Sequence, residues 1–237
     1  MNGDGEMRPK RKLAPGTDIV AFLQTLPPAD RCRGLELLGE EERDALDRAW
    51  EEWAHAGQLA PSGDWSTWVI KAGRGFGKTL AGAQWLTARI AEGGPIRIAL
   101  VGATLDDARR VMVEGVSGLL TVAAPWLDDW QPSLRRLKFR TGAEAALFSG
   151  ASPRFLRGPE HHYAWCDELA KWAKPQECWD MLQMGLRLGA HPRAIVTTTP
   201  RSGSMLGAIM DAPGTVVTGG PTRANPHLAA GWRERIE

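Results

Sequence analysis

The chain has 237 residues, of which 43% are hydrophobic and 24% charged, with a formal net charge of +1. That length holds one large domain with a real core, and the composition is that of an ordinary globular protein. The near-neutral balance excludes a chain that binds nucleic acid by bulk charge, so any DNA contact must come from local patches. The sequence reads as cytosolic and not membrane-spanning, because it shows neither a signal peptide nor a long apolar run. Cys32, Cys166 and Cys178 have no metal-ligand spacing and no even-numbered framework, and fit thiols in a reducing compartment. Eleven tryptophans stand against one tyrosine; scattered as they are, they suit core anchors better than a stacking surface.

Residues 1–16 are polar, with a basic cluster at Arg8, Lys10, Arg11 and Lys12, and read as a disordered tail. Residues 17–60 read as an N-terminal helical segment. Thr17 caps a helix with Ile19, Phe22, Leu23 and Leu26 on one face, ended by Pro27-Pro28. Further helices run through 35–38 and 40–55, the last with Leu46, Ala49, Trp50 and Trp53 as an apolar stripe.

Residues 61–237 read as an α/β domain. The strand Thr67–Ile70 leads to a Gly-rich turn and a helix from Leu80 to Ala91, and the strand Ile96–Val101 follows. A helix is expected over Leu105–Glu114 and an acidic, aromatic loop over Pro125–Pro132. Leu134–Arg140 and Ala143–Phe148 form a hairpin around Thr141-Gly142, with Arg136, Lys138 and Arg140 on one face and Leu137 and Phe139 on the other. Then come strand Tyr163–Asp167, helix Pro175–Leu188, strand Arg193–Thr199, a helix near Met205–Met210 and strand Thr215–Thr218. Strands alternating with helices predict a mostly parallel, doubly wound sheet.

The turn Ala72-Gly73-Arg74-Gly75-Phe76-Gly77-Lys78-Thr79 lies between strand and helix, the setting a phosphate-binding loop requires. Its glycines let backbone N–H groups point at an anion, and the helix that follows adds its dipole. Lys78 would reach the β- and γ-phosphates of ATP and Thr79 would place its hydroxyl on Mg2+. The pattern departs from the usual one only in opening with Ala72 in place of glycine. Downstream, an apolar strand ends in Asp167-Glu168. The first acid at such a strand end holds Mg2+ through water, and the second can orient or deprotonate the attacking water. A glutamate directly after the aspartate points to an ATPase; no Asn-Lys-x-Asp guanine reader is present. A third strand ends in Thr197-Thr198-Thr199, where carboxyl ends of strands meet ligands, and suits a sensor of the γ-phosphate.

Together these residues resemble the large subunit of phage terminase, the DNA-packaging motor, in the branch found in tailed phages and gene transfer agents. Matching stretches are Gly63-Asp64-Trp65, Ala72–Trp85, Gly115–Leu120, Leu156-Arg157-Gly158-Pro159, Ala164–Ala170, Trp179–Leu182 and Thr197–Arg201. The resemblance implies a P-loop NTPase of the ASCE type, with ATP and Mg2+ as cofactors. It implies double-stranded DNA, a portal protein, a small terminase subunit and self-association into a ring as partners, in the cytoplasm of a bacterial host and with no membrane. It assigns Gln58 to the adenine side, Arg74 to sensing the γ-phosphate, Arg157 to an arginine finger for a neighbouring subunit, and Thr197–Thr199 to coupling hydrolysis with DNA movement. Arg157 reads equally well as a loop arginine in a local ion pair. Family members normally continue into a nuclease domain; with Asp106-Asp107 and Asp128-Asp129 as the remaining acidic pairs, no nuclease activity is expected from these residues. Rival readings are another P-loop helicase or translocase, and a nucleotide-binding prophage remnant without motor activity.

Overall fold

The structure is a computed structural model that describes residues 38–39, 49–200 and 204–228. The basic tail, most of the expected N-terminal helices and Arg201 lie outside the described residues. The chain divides into two compact units, Met1–Ala54 with Pro226–Glu237, and His55–Asn225. In the first, a short helix Trp50–Trp53 sets its two indoles edge to face at 4.6 Å, and the Trp53 carbonyl accepts from His227 Nε2 at 2.9 Å. That pairing is the described part of the expected apolar stripe.

In the second unit the strands are β1 (Thr67–Ala72), β2 (Arg97–Gly102), β3 (Leu127–Gln131), β4 (Arg136–Phe139), β5 (Glu144–Ser149), β6 (Tyr163–Asp167), β7 (Arg193–Thr198) and β8 (Thr215–Gly220), with apolar and β-branched runs in β1, β2, β6 and β7 and polar sequence in the edge strand β3. Among the described residues they form one sheet in the order β3-β4-β5-β2-β6-β7-β1-β8. From β5 to β8 all neighbours are parallel; β4 pairs antiparallel with β5, and β3 with β4. A parallel sheet is covered on both faces, so its central strands are apolar on both. Val69, Val101, Ala164, Cys166 and Val196 face a core completed by Cys178 and Leu182 of α2 (Pro175–Gly185) and by Leu206 and Ile209 of α3 (Ser204–Met210). The alternate residues Trp68, Ile70, Leu100, Trp165 and Ile195 point the other way and are equally buried. On that side lies α1 (Lys78–Ala91), which rests on the Trp165 indole at Gly82.

The strand ends fall within a residue or two of expectation, with three differences. The expected loop over Pro125–Pro132 holds the edge strand β3. Its register shifts between Leu127 and Asp129; such a bulge breaks the alternation by which a strand is read. The helix expected over Leu105–Glu114 is α-helical only over Leu105–Asp107, where Thr104 and Asp107 cap each other, and widens to a π-helix over Ala108–Val113. Helix α2 stops at Gly185, short of Leu188, because the backbone beyond it turns to pair with His161: His161 N donates to Gly185 O at 2.8 Å and Leu188 N to His161 O at 3.1 Å. Five of the tryptophans, Trp65, Trp68, Trp85, Trp165 and Trp172, are buried core residues as expected, while Trp50, Trp53, Trp126, Trp130 and Trp179 are half-buried.

A methyl group at Gly82 would lie 2.5 Å from Trp165 Cε2. Since the indole is rigid and fully buried, α1 itself must shift to admit it. Gly82→Ala is expected to cost about 1–3 kcal/mol through overpacking, despite the better helix propensity of alanine. Denaturant unfolding measures this, and an unchanged or raised midpoint would refute close packing of α1 on Trp165.

Candidate nucleotide site

Between β1 and α1 the backbone turns with Gly75 at φ 73° and Gly77 at φ 91°, conformations that side chains disfavour. At Gly77 a side chain would also collide with the Gln58 amide. Every carbonyl from Ala72 to Gly77 is taken by a side-chain nitrogen or hydroxyl. Lys78 Nζ donates to Ala72 O and Gly73 O, both at 3.0 Å. Thr222 Oγ1 donates to Arg74 O at 2.8 Å, and Asn225 Nδ2 to Gly75 O at 2.8 Å. His55 Nε2 lies 3.0 Å from Phe76 O, and Gln58 Nε2 donates to Gly77 O at 3.2 Å. In a trans peptide the C=O and the following N–H point in opposite directions. Carbonyls held from outside therefore turn the N–H groups of Gly75, Phe76, Gly77 and Lys78 to the concave side. The result is an anion nest at the N-terminus of a 14-residue helix.

The acidic strand end meets this loop from across the sheet, with β7 lying between β6 and β1. Asp167 is 7% exposed, and Thr197 Oγ1 donates to its Oδ1 at 2.6 Å. Trp165 Nε1 in turn donates to Thr197 Oγ1 at 2.9 Å. An indole N–H can only donate, so the Thr197 proton is committed to the carboxylate. Burial pushes the Asp167 carboxyl up to about 6; the Thr197 hydrogen bond and the Lys78 charge pull the other way, while Glu168 adds to the rise. Glu168 sits at φ 48°, a left-handed conformation unusual for this residue. Its N–H donates to Thr197 O at 2.6 Å, and its Oε1 accepts from Thr199 Oγ1 at 2.8 Å. Its Oε2 is shielded from solvent and lacks an aligned hydrogen bond, although Lys171 Nζ lies 3.3 Å away as an ion pair. Burial lowers the pKa of Lys78, and the charges of Glu168 and Asp167 oppose that shift. A buried ammonium, two carboxylates and a nest of N–H groups thus face one another.

Of the residues singled out from sequence, the structure brings together Ala72, Gly73, Arg74, Gly75, Phe76, Gly77, Lys78, Thr79, Asp167, Glu168, Thr197 and Thr199. Thr198 turns aside, its hydroxyl lying 3.4 Å from the amide of Ala170. Gln58 is 3% exposed, with Oε1 accepting from His55 N and Nε2 spent on Gly77 O. It props the loop from below. The Arg74 side chain is exposed, and Arg157 is exposed on the loop after β5, outside the described ion pairs. His55, Thr222 and Asn225 were not foreseen. The spacing His55-x-x-Gln58 is a capping box and carried a signal for His55. Thr222 and Asn225 reach the loop across 148 and 150 residues, and no local pattern marks them.

Residues 69–228 match the family of the terminase large subunit, T4likevirus-type, N-terminal. The chain belongs to this terminase family. No curated protein matches it. Among solved structures, the large terminase of the thermophilic bacteriophage D6E is 13% identical with a TM-score of 0.60, over 82% of this chain and 48% of that one. Its complex with ATP-gamma-S is 13% identical with a TM-score of 0.58, at the same coverage. The large terminase ATPase domain of Thermus phage P74-26 is 16% identical with a TM-score of 0.58, over 80% of this chain and 88% of that one. The chain thus spans about half the length of the bacteriophage D6E terminase. At these identities the likeness establishes a shared fold: the terminase chain has the P-loop-type α/β architecture expected of it.

The buried aspartate has a stability consequence. Its carboxyl titrates at about 6 in the folded protein, against an ordinary 3.8. Between those values the folded chain holds a proton that the unfolded chain releases, so stability falls as pH rises through this window. Asp167→Asn keeps an acceptor for Thr197 but removes the charge. In metal-free protein it is expected to raise stability by up to about 3 kcal/mol above pH 6 and to change it little near pH 4. Urea unfolding in EDTA across pH 4–8 tests this; a variant less stable at pH 7 would mean that the fold favours the ionised form.

Proposed function

We propose that this terminase chain binds Mg2+–ATP at the phosphate loop and hydrolyses it to ADP and phosphate, serving as the motor domain that drives double-stranded viral DNA into a prohead. The observation that carries the reading is the capture of the four carbonyls from Arg74 to Gly77 by side chains behind the loop, with Lys78 and a buried acidic pair on the other side. The complexes of the bacteriophage D6E terminase with ATP-gamma-S and with ADP support the choice of ligand.

In this reading the N–H groups of 75–78 hold the β-phosphate. Lys78 exchanges its two loop carbonyls for β- and γ-phosphate oxygens, and Arg74 follows the γ-phosphate. A bound Mg2+ would supply positive charge to offset the negative charge that builds on the phosphates in the transition state. Asp167, through water, and the Thr79 hydroxyl would hold it. Mg2+ keeps several waters and takes one or two carboxylates beside phosphate, which accords with the described residues holding no cluster of three or more His, Cys, Asp or Glu. Glu168 orients the attacking water and accepts its proton. Thr199 fixes Oε1, and Oε2, which faces Lys171 as an ion pair without an aligned hydrogen bond, would take that water's proton. Thr197 and Thr199 join β7 to both acids, so a change at Glu168 on loss of the γ-phosphate is carried into β7. Gln58, expected on the adenine side, acts here as a prop for Gly77.

Lys78→Ala is expected to abolish hydrolysis with an unchanged circular dichroism spectrum. Glu168→Gln should retain nucleotide binding while turning over at least ~100-fold more slowly, the scale for losing a positioned base. Turnover in either variant near that of the wild type would sink the assignment.

The portal, the small terminase subunit, DNA and further copies of the chain in a ring are the proposed partners, in the cytoplasm of the bacterial host. The described residues contain no helix long and apolar enough to cross a membrane. Arg157, exposed and outside the described ion pairs, is the proposed finger for the next subunit, a contact that contributes about 10³-fold or more elsewhere. Mixing Arg157→Ala with Glu168→Gln subunits, each nearly inactive alone, should restore hydrolysis. No restoration in a mixture shown to assemble would remove Arg157 from the site.

A further inference from the structure

The crest of the phosphate loop is held by two separate pieces of chain. His55 and Gln58, before β1, take Phe76 O and Gly77 O. The turn after β8 takes Arg74 O and Gly75 O through Thr222 and Asn225. That turn is built for the task. Gly73 N donates to Gly220 O at the end of β8, which brings the two strand ends together. Thr222–Ala224 forms a single 3-10 turn, and Asn225 N donates to Thr222 O at 3.2 Å. Asn225 is 8% exposed and aims its amide at Gly75 O. Gly73 leaves room for Thr222, which a side chain there would strike.

We propose that Thr222 and Asn225 are positioning residues of the nucleotide site, which hold the peptides after Arg74 and Gly75 with their N–H groups turned to the phosphates. The inference rests on reading the loop as an ATP site. Glycine at 75 rotates its peptides at little cost. A flip of either peptide would turn a carbonyl oxygen toward the anion and remove an N–H donor. The two side chains hold the peptides from behind, where they touch no phosphate, so they act on nucleotide affinity through the backbone alone. Because Asn225 ends the second compact unit, the residue that closes this unit also sets the loop.

The test uses the full chain, with Mg2+–ATP-gamma-S affinity by calorimetry, ATPase kinetics and thermal unfolding without nucleotide. Thr222→Val removes the hydroxyl at constant shape, and Thr222→Ser restores it. Thr222→Val and Asn225→Ala are each expected to weaken the analogue and raise KM for ATP about tenfold, the range for one lost hydrogen bond. kcat should change less than about twofold, as for lost uniform binding. Thr222→Ser should bind within about twofold of the wild type. If Thr222→Ser is as impaired as Thr222→Val, shape rather than the hydroxyl matters, and the proposal fails for Thr222. Should Thr222→Val melt below the assay temperature, Asn225→Ala and Thr222→Ser decide. If Lys78→Ala loses binding while Thr222→Val and Asn225→Ala keep wild-type affinity, the loop is a nucleotide site and only this inference falls. If Lys78→Ala binds as well as the wild type, the ATP reading falls and takes this inference with it.

Discussion

The arrangement on which the rest depends is the capture of the loop carbonyls from outside. A peptide group has two polar ends, and whichever is satisfied by protein sets what the other offers. With Thr222, Asn225, His55 and Gln58 bonded to the four successive carbonyls from Arg74 to Gly77, the concave side is left with N–H donors and the Lys78 ammonium. The sheet order makes this attainable. β1 lies between β7 and β8, so the end of one neighbour delivers the threonines and the end of the other delivers the turn that grips Arg74 and Gly75.

The acidic side shows what such a site costs the fold. Asp167 is buried with its carboxyl raised to about 6, and Glu168 holds a left-handed backbone at φ 48°. A strained non-glycine residue costs on the order of 1–3 kcal/mol. Both features sit where the proposed chemistry takes place, and both are held by the surrounding structure. Trp165 directs the Thr197 hydroxyl at Asp167, and Thr197 O and Thr199 Oγ1 fix the two ends of Glu168. Trp165 also carries α1 at Gly82, so one buried indole touches both the helix behind the phosphate loop and the hydroxyl beside the acid.

Much of the site was legible because its components are short and local. A glycine-rich turn followed by Lys78-Thr79 and a strand ending in Asp167-Glu168 are patterns of adjacent residues. Gly75 and Gly77 read correctly because a positive φ leaves a residue-level mark. The edge strand β3 did not, since its bulge between Leu127 and Asp129 breaks the alternation. The early end of α2 did not either, since pairing with His161 ends it and that residue lies in another segment. Gln58, singled out by resemblance, has both amide atoms engaged, its Oε1 accepting from His55 N and its Nε2 donating to Gly77 O.

The sequence by itself determined the order of the seven described strands other than β3, the phosphate-loop turn with its helix, the acidic strand end and the terminase family. Each rests on periodicity, on the backbone freedom of glycine or on contiguous side-chain chemistry, which act over a few residues. Tertiary structure alone decided the insertion of β7 between β6 and β1, the relay from Trp165 through Thr197 to Asp167, and the grip of Thr222 and Asn225 on the loop. The relay and the grip are hydrogen bonds between residues about 30 to 150 positions apart. Their partners meet only once the parallel sheet has set its register, because a hydroxyl or an amide carries no local sign of which distant carbonyl or carboxylate it will reach.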